Sequence, residues 1–279
     1  DSAPARRLKR YTGRLNLKQR YLLSAERKLF APDDGPVVVA ISNYVVRQLK
    51  EHYGLPDERI RTIYNGVDAD LSTPAERGRH RAAVRGEFGI REGDVLVLLI
   101  AHNFRLKGVQ RWMQALAILV ERGVGNVRSL VIGRGESTRW HRLATTLGIA
   151  RRLTFVGPSD RVGEFLHAAD VLVHPTYYDP CSRVVLEGMV AGVPCITTRW
   201  DGAAEMIVDG NNGYVLDEPT DLVTLAERVE QLCDAGLRKR IGHAASAIAD
   251  RVSMSRHAQE MVALYEEIAS KSLSPRGRG

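Results

Sequence analysis

Residues 174–198 read HPTYYDPCSRVVLEGMVAGVPCITT. Asp179, Pro180 and Ser182 are helix-start signals, so a helix is expected from about Ser182 with its free backbone N–H groups facing whatever lies in front of Asp179. Such an end attracts anions, phosphates especially. Val184, Val185, Leu186, Met189, Val190 and Ala191 are apolar around nearly the whole circumference, and Gly188 and Gly192 permit close packing, which predicts a helix buried on most sides. Glu187 is the odd residue there. A buried carboxylate needs partners, either a neighbouring Arg or backbone amide, or a pair of ligand hydroxyls. The stretch closes on Gly-Val-Pro and a short β-branched strand.

Working outward, strands alternate with helices. Strands are expected at 95–101, 128–132, 153–156, 170–173 and 194–197, and helices at 108–122, 137–147, 161–168 and 182–191, followed by a short helix near Ala203, an extended piece near Tyr214 and helices to the end. This alternation predicts an α/β fold with a parallel sheet covered on both faces, a Rossmann-like domain whose ligand lies at the C-terminal ends of the strands. The Arg-rich segment 68–91 reads as a linker and a helix. Upstream, Leu15, Leu17, Tyr21, Leu22, Ala25 and Leu29 recur at helical spacing with a basic outer face. After the PDDGP turn come a strand at 37–41, a helix to about Tyr53 and a strand at 60–64 ending in Asn65-Gly66. Two strands and two helices do not complete a doubly wound sheet, so residues 1–67 are expected to be the tail of a second, similar domain. Residues 1–14 are expected to be poorly ordered.

The chain has 279 residues, 44% hydrophobic and 26% charged, with a formal charge of +7. This is room for about two domains, and the charge suggests a phosphate-bearing or otherwise acidic partner. Between Asp1 and Phe30 nine Lys or Arg residues face two acids. That basic edge could touch anionic lipid or be merely solvated. Cys181, Cys195 and Cys233 lack metal spacing and fit a reducing, cytoplasmic compartment. No recognition motif or aromatic platform points to nucleic acid.

Other loops carry candidate chemistry. His102-Asn103-Phe104-Arg105-Leu106-Lys107-Gly108 joins a strand end to a helix start, so Arg105 and Lys107 are placed for a diphosphate or are two solvated surface cations. Gly133-Arg134-Gly135 holds the same topological position after the next strand, where glycine lets backbone approach a ligand. Asp68-Ala69-Asp70 has metal-binding spacing, but Asp after a turn is more simply a cap. His102, His167 and His174 form no arrangement that reads as a triad. Cys181 lies near the anion site and is expected to fill space.

The series VVVAISNYV, IRTIYNGVD, AHNFRLKG, SLVIGRGE, LTFVGPSDRVGEFLHAADVLVHPTYYD, CSRVVLEGMVAGVPCITT and DGAAEMIVDGNNGYVL, in this order, resembles the retaining glycosyltransferases of family 4, and the likeness runs from about Tyr21 to Tyr265. Among them, the enzymes that add glucose to heptose in the lipopolysaccharide core share an HNFRLKG-like loop. The resemblance implies two Rossmann-like domains in the GT-B arrangement. Residues 1–67 would be a remnant of the acceptor-side domain and 68–250 the nucleotide-sugar domain. Residues 251–279 would be a terminal helix and tail packing back toward the first. It implies a donor that is a nucleotide diphosphate sugar, a UDP-hexose such as UDP-glucose, an acceptor that is a glycan or lipid-linked glycan, and no metal. The family's paired acids fall on Asp179 and Glu187: Glu187 would bind the ribose hydroxyls and Asp179 would face the donor sugar. Lys107 would bind phosphate, Arg105 would replace an arginine whose usual place is Ala101-His102, and Cys181, Ser182, Arg183, Gly133 and Gly157 would complete the donor site. Asp179 is shorter than the usual Glu, Cys181-Ser182 stands for Phe-Gly, and Asp201-Gly202 stands for the Gly-Gly before Glu205. A nucleotide-sugar epimerase or a non-catalytic nucleotide-sugar-binding fragment are the rival expectations. A nucleotide-dependent oxidoreductase is disfavoured by the absence of a full GxGxxG.

Overall fold

A computed structural model describes residues 17–30, 35–68, 72–135 and 138–273 of the protein. The chain divides into two compact units between Thr62 and Ile63.

The first unit comprises α1 (Leu17–Leu29), β1 (Val38–Ala40), α2 (Asn43–Tyr53) and β2 (Ile60–Thr62), with β1 and β2 parallel. Ser42 caps α2 by accepting from the Val45 amide, and Gly54 ends it in the left-handed conformation at φ 65°. Ala40, Leu49, Leu55 and Ile60 form a small core. Of the apolar positions that recur at helical spacing in α1, Tyr21, Leu22 and Leu29 are exposed, as is Leu23. A two-stranded sheet offers too little area to cover them. Residues 1–14 lie outside the described residues.

The second unit holds α3 (Pro74–Glu87), β3 (Val95–Ile100), α4 (Val109–Glu121), β4 (Val127–Ile132), α5 (Thr138–Thr146), β5 (Leu153–Gly157), α6 (Val162–Ala168), β6 (Val171–His174), α7 (Arg183–Val190), β7 (Cys195–Thr198), β8 (Tyr214–Leu216), α8 (Leu222–Gln231), α9 (Ala235–Ser246) and α10 (Met254–Leu273). Its sheet runs β5-β4-β3-β6-β7-β8, parallel throughout. Leu96, Val97, Leu98 and Leu99 are fully buried although they alternate between the faces of β3, so helices cover both sides, as the unbroken apolar strand requires. Asp170, at the entry to β6, accepts from Arg81 (2.7 Å), Arg85 (3.0 Å) and the Leu96 amide (2.7 Å), which ties α3 to the two central strands. The strand order reverses between β3 and β6. In an open parallel sheet the loops diverge there and leave a crevice at the carboxyl ends, and the loops after β3 and β6 are the two singled out by sequence.

Candidate functional site

The loop after β3 and the loop after β6 are joined through main chain. The Tyr177 amide donates to the Leu106 carbonyl (2.9 Å), and Thr176 Oγ1 donates to the same oxygen (3.2 Å). Gly108 has φ 72°, and a Cβ there would stand 1.9 Å from the Pro175 carbonyl oxygen, so only glycine permits the approach. A similar contact fixes the loop after β4: Gly133 has φ 131°, and a Cβ would lie 1.7 Å from the Ala101 carbonyl oxygen. Gly133 lines the crevice, yet what its missing side chain makes room for is the neighbouring loop. Gly157, at φ 83°, has nothing within 4 Å of a built Cβ.

This framework brings Lys107 to Asp179. Lys107 Nζ donates to Asp179 Oδ2 (2.6 Å) and to the Tyr178 carbonyl (3.2 Å). His174 Nε2 approaches the same Oδ2 at 3.1 Å. Burial pushes the Asp179 carboxyl upward, but the hydrogen bonds from His174 and Lys107 outweigh it and hold the group below its usual range. Asp179 is also fixed by its backbone: its amide donates to the Trp200 carbonyl and its carbonyl accepts from the Gly202 amide, both at 2.9 Å. Arg105 is exposed and makes no hydrogen bond or ion pair with a described residue.

At the start of α7, Ser182 caps the helix by accepting from the Val185 amide (3.4 Å). The Ser182 amide itself donates to Asp201 Oδ1 (2.9 Å) and is therefore occupied. The amides left for an anion are those of Arg183 and Val184. Asp201, 1% exposed, also accepts from the Ala203 amide (2.9 Å) and Thr197 Oγ1 (2.8 Å), linking α7, β7 and the 3-10 turn Gly202–Met206. Cys181 is buried and its carbonyl accepts from Asn65 Nδ2 (3.1 Å). Burial, reinforced by Asp201 and Asp179, pushes its thiol up to about 12, so the side chain is a space-filler.

Glu187 is half-buried, with 30% of its side chain exposed, and Arg183 stands 3.6 Å from it one helical turn away. Burial raises its carboxyl above the usual 4.5; Arg183 opposes the rise and Asp68 adds to it. It lines a cavity of about 440 Å³ together with His80, Asp160, Arg161 and His167. A second cavity of about 540 Å³ lies at the ends of β3, β4 and β5, lined by Ala101, His102, Gly133, Arg134, Pro158 and Ser159. Asp160 and Val162 line both, so the two adjoin along the carboxyl edge of the sheet. Together they present Arg134 and Arg161, the half-buried Glu187 carboxylate, and a groove sized for a small ligand.

The sequence-predicted residues are thus divided. Lys107 and Asp179 are in direct contact, Glu187 faces one of the two cavities, and Cys181 and Ser182 are buried at the start of α7 with the Ser182 amide already taken by Asp201. Sequence reasoning missed His174, Asp201 and Asn65 as parts of the site. His174 carried a faint signal, since it ends a strand five residues before Asp179. Among the described residues no three His, Cys, Asp or Glu side chains gather as a metal-ligating group. Asp68 is described, whereas the rest of Asp68-Ala69-Asp70 lies outside the described residues.

Residues 80–247 match the family described as glycosyl transferases group 1, and residues 2–71 match glycosyltransferase family 4. The chain is similar to the lipopolysaccharide glucosyltransferase WaaG of Escherichia coli, with 31% identity over 206 residues, 74% of this chain and 55% of that protein. It is also similar to the N-acetyl-alpha-D-glucosaminyl L-malate synthase of Bacillus anthracis, with 30% identity over 241 residues, 86% of this chain and 60% of that protein. The chain therefore spans little more than half the length of these relatives. Among solved structures, that of WaaG, a glycosyltransferase involved in lipopolysaccharide biosynthesis, superposes with a TM-score of 0.77 at 28% identity, covering 90% of this chain and 69% of that one. Anabaena HepE in complex with UDP-glucose shares the fold at a TM-score of 0.72 and 23% identity, covering 84% and 64%.

Proposed function

We propose that this chain, which belongs to the glycosyl transferases of group 1, holds a UDP-hexose in the adjoining cavities of its second unit and serves retaining transfer of the hexose to a glycan acceptor. The observation that carries the proposal is the placement of Lys107, Asp179 and the start of α7 at the point where strand order reverses, with Glu187 on the cavity beside them. Glu187 accepts from the two ribose hydroxyls, a bidentate role that a carboxylate with one weak partner at 3.6 Å can take. The cavity at the ends of β4 and β5 receives the base. Lys107, the unpaired Arg105 and the amides of Arg183 and Val184 meet the diphosphate. Asp179 faces the hexose.

Transfer then needs charge stabilisation more than a protein base. As the bond from the anomeric carbon to the diphosphate oxygen breaks, negative charge grows on that oxygen, and it takes the proton of the acceptor hydroxyl attacking from the same face. Lys107 on leaving Asp179, Arg105 and the helix amides stabilise that charge. No metal has a role in this scheme. The acceptor is a glycan, as in the lipopolysaccharide relative, and the exposed apolar and basic side chains of α1 suit contact with an anionic membrane surface, which would hold the enzyme at the cytoplasmic face. We assign residues 68–250 to the donor domain, 1–67 to the acceptor-side domain and 251–279 to a terminal helix and tail.

Titration calorimetry with UDP, UDP-glucose and several other nucleotide sugars tests the donor assignment. Saturable binding of a uridine nucleotide, lost in Glu187→Ala, is the expected result. No heat from any of them at millimolar concentration would sink it.

A further inference from the structure

His174 ends β6 with 2% of its side chain exposed. Its Nδ1 is buried without a hydrogen-bond partner among the described residues, while Nε2 lies 3.1 Å from Asp179 Oδ2. An ionised carboxylate only accepts, so the ring proton belongs on Nε2. The ring is anchored by its own backbone, whose carbonyl accepts from the Thr176 amide (2.7 Å).

Asp179 Oδ2 thus has two donors, and Oδ1 accepts from no described residue. The donors differ in kind. Lys107 is a charged head on a flexible stem, and a bound diphosphate competes for it. His174 is a fixed ring that no ligand reaches. When Lys107 turns to the diphosphate, a carboxylate held by the lysine alone would be free to rotate.

We infer that His174 is a positioning residue, which keeps Oδ1 of Asp179 directed at the donor hexose after Lys107 has been drawn to the diphosphate. The inference rests on the nucleotide-sugar reading above and assigns a specific task to a side chain outside the paired acids. It acts on the hexose and leaves the nucleotide contacts alone.

The test compares UDP with UDP-glucose by titration calorimetry of the wild-type chain, His174→Phe, His174→Leu and His174→Gln. Phe keeps the ring and removes the donor; Leu serves if Phe does not fold; Gln restores an N–H near the position of Nε2. Losing one hydrogen bond to a charged group should weaken UDP-glucose binding about tenfold in the Phe or Leu variant. UDP binding should stay at the wild-type value, and Gln should recover most of the loss. Equal weakening of both ligands, an unchanged UDP-glucose affinity, or Gln behaving as Phe would overturn the inference. A wild-type chain that binds neither ligand would instead remove the nucleotide-sugar reading itself, and this inference with it.

Discussion

Lys107 Nζ stands 2.6 Å from Asp179 Oδ2, and less than a fifth of either side chain is exposed. The cation that the proposed reading assigns to the diphosphate is thus paired with the acid that it assigns to the sugar. Ligand entry is an exchange of partners. Under that reading the diphosphate would take the lysine, and the hexose hydroxyls would meet a carboxylate that has lost one of its donors.

Lys107→Met should weaken nucleotide binding about tenfold to a hundredfold, since a half-buried charge-assisted contact is removed. It should also alter the acid response. The Asp179 carboxyl is lower in the folded state than its usual 3.8, so its share of stability is present above that value and is lost as pH falls through the folded one. Without Lys107 that loss is smaller. Thermal melts of both proteins at pH 7 and pH 3 check this; an equal drop in Tm for the two would assign the depression to His174 alone.

Glu187→Gln should trade binding for stability. The carboxyl is raised by burial, so the folded state favours its protonated form, and that favour is complete below the unfolded value near 4.5 and lost as pH rises through the folded value. At neutral pH the charge is a cost that Gln removes, and Tm should rise slightly while UDP affinity falls at least tenfold, as expected for a lost charged hydrogen-bonding pair. UDP carrying no ribose 2′-hydroxyl should show a smaller loss on the same substitution. Equal losses for both nucleotides would place Glu187 away from that hydroxyl.

Gly133→Ala and Gly157→Ala separate a steric need from a conformational one. Both positions have positive φ, but only Gly133 has a backbone oxygen 1.7 Å from the added carbon. Gly157→Ala should cost about 1–2 kcal/mol, the ordinary penalty for a side chain in that region. Gly133→Ala should cost more than about 2 kcal/mol, because the loop after β4 must move off Ala101 as well. Urea denaturation measures both, and similar values would mean that the loop yields easily.

Thiol chemistry should ignore the site. Cys181 and Cys195 are buried, and burial pushes the Cys181 thiol to about 12. Neither should react with Ellman's reagent at pH 7 until the chain unfolds, whereas Cys233, less buried, should react first. Rapid labelling of Cys181 in the native protein would contradict its placement under the start of α7.

Most strands and helices of the second unit could be read from the sequence, because β3 is an unbroken apolar run, β4 and β6 are largely apolar, and the helices between them are periodic. The ends of those strands then located Lys107, Asp179 and Glu187. What could not be read was pairing. Nothing local indicates that the Ser182 amide is taken by a carboxylate nineteen residues later, or that a histidine at a strand end reaches the acid beyond a turn. Those contacts depend on which strands are neighbours in space. Gly133 is a related case: a glycine at a strand end signals close approach without saying to what, and the nearest neighbour is the Ala101 carbonyl. The apolar face of α1 was visible as a helical pattern, but whether such a face is covered is a property of the surrounding sheet.

Gly108 against Pro175 and Gly133 against Ala101 are contacts of main chain with main chain. The loops that carry the chemistry are therefore registered by a frame that is blind to nearly every side chain it supports. Such a frame allows divergence. A side chain such as Asp179, Cys181 or His102 can then change without disturbing the main-chain contacts at Gly108 and Gly133. Variation in donor and acceptor among related enzymes can then accumulate one residue at a time, without a detour through a misfolded ancestor.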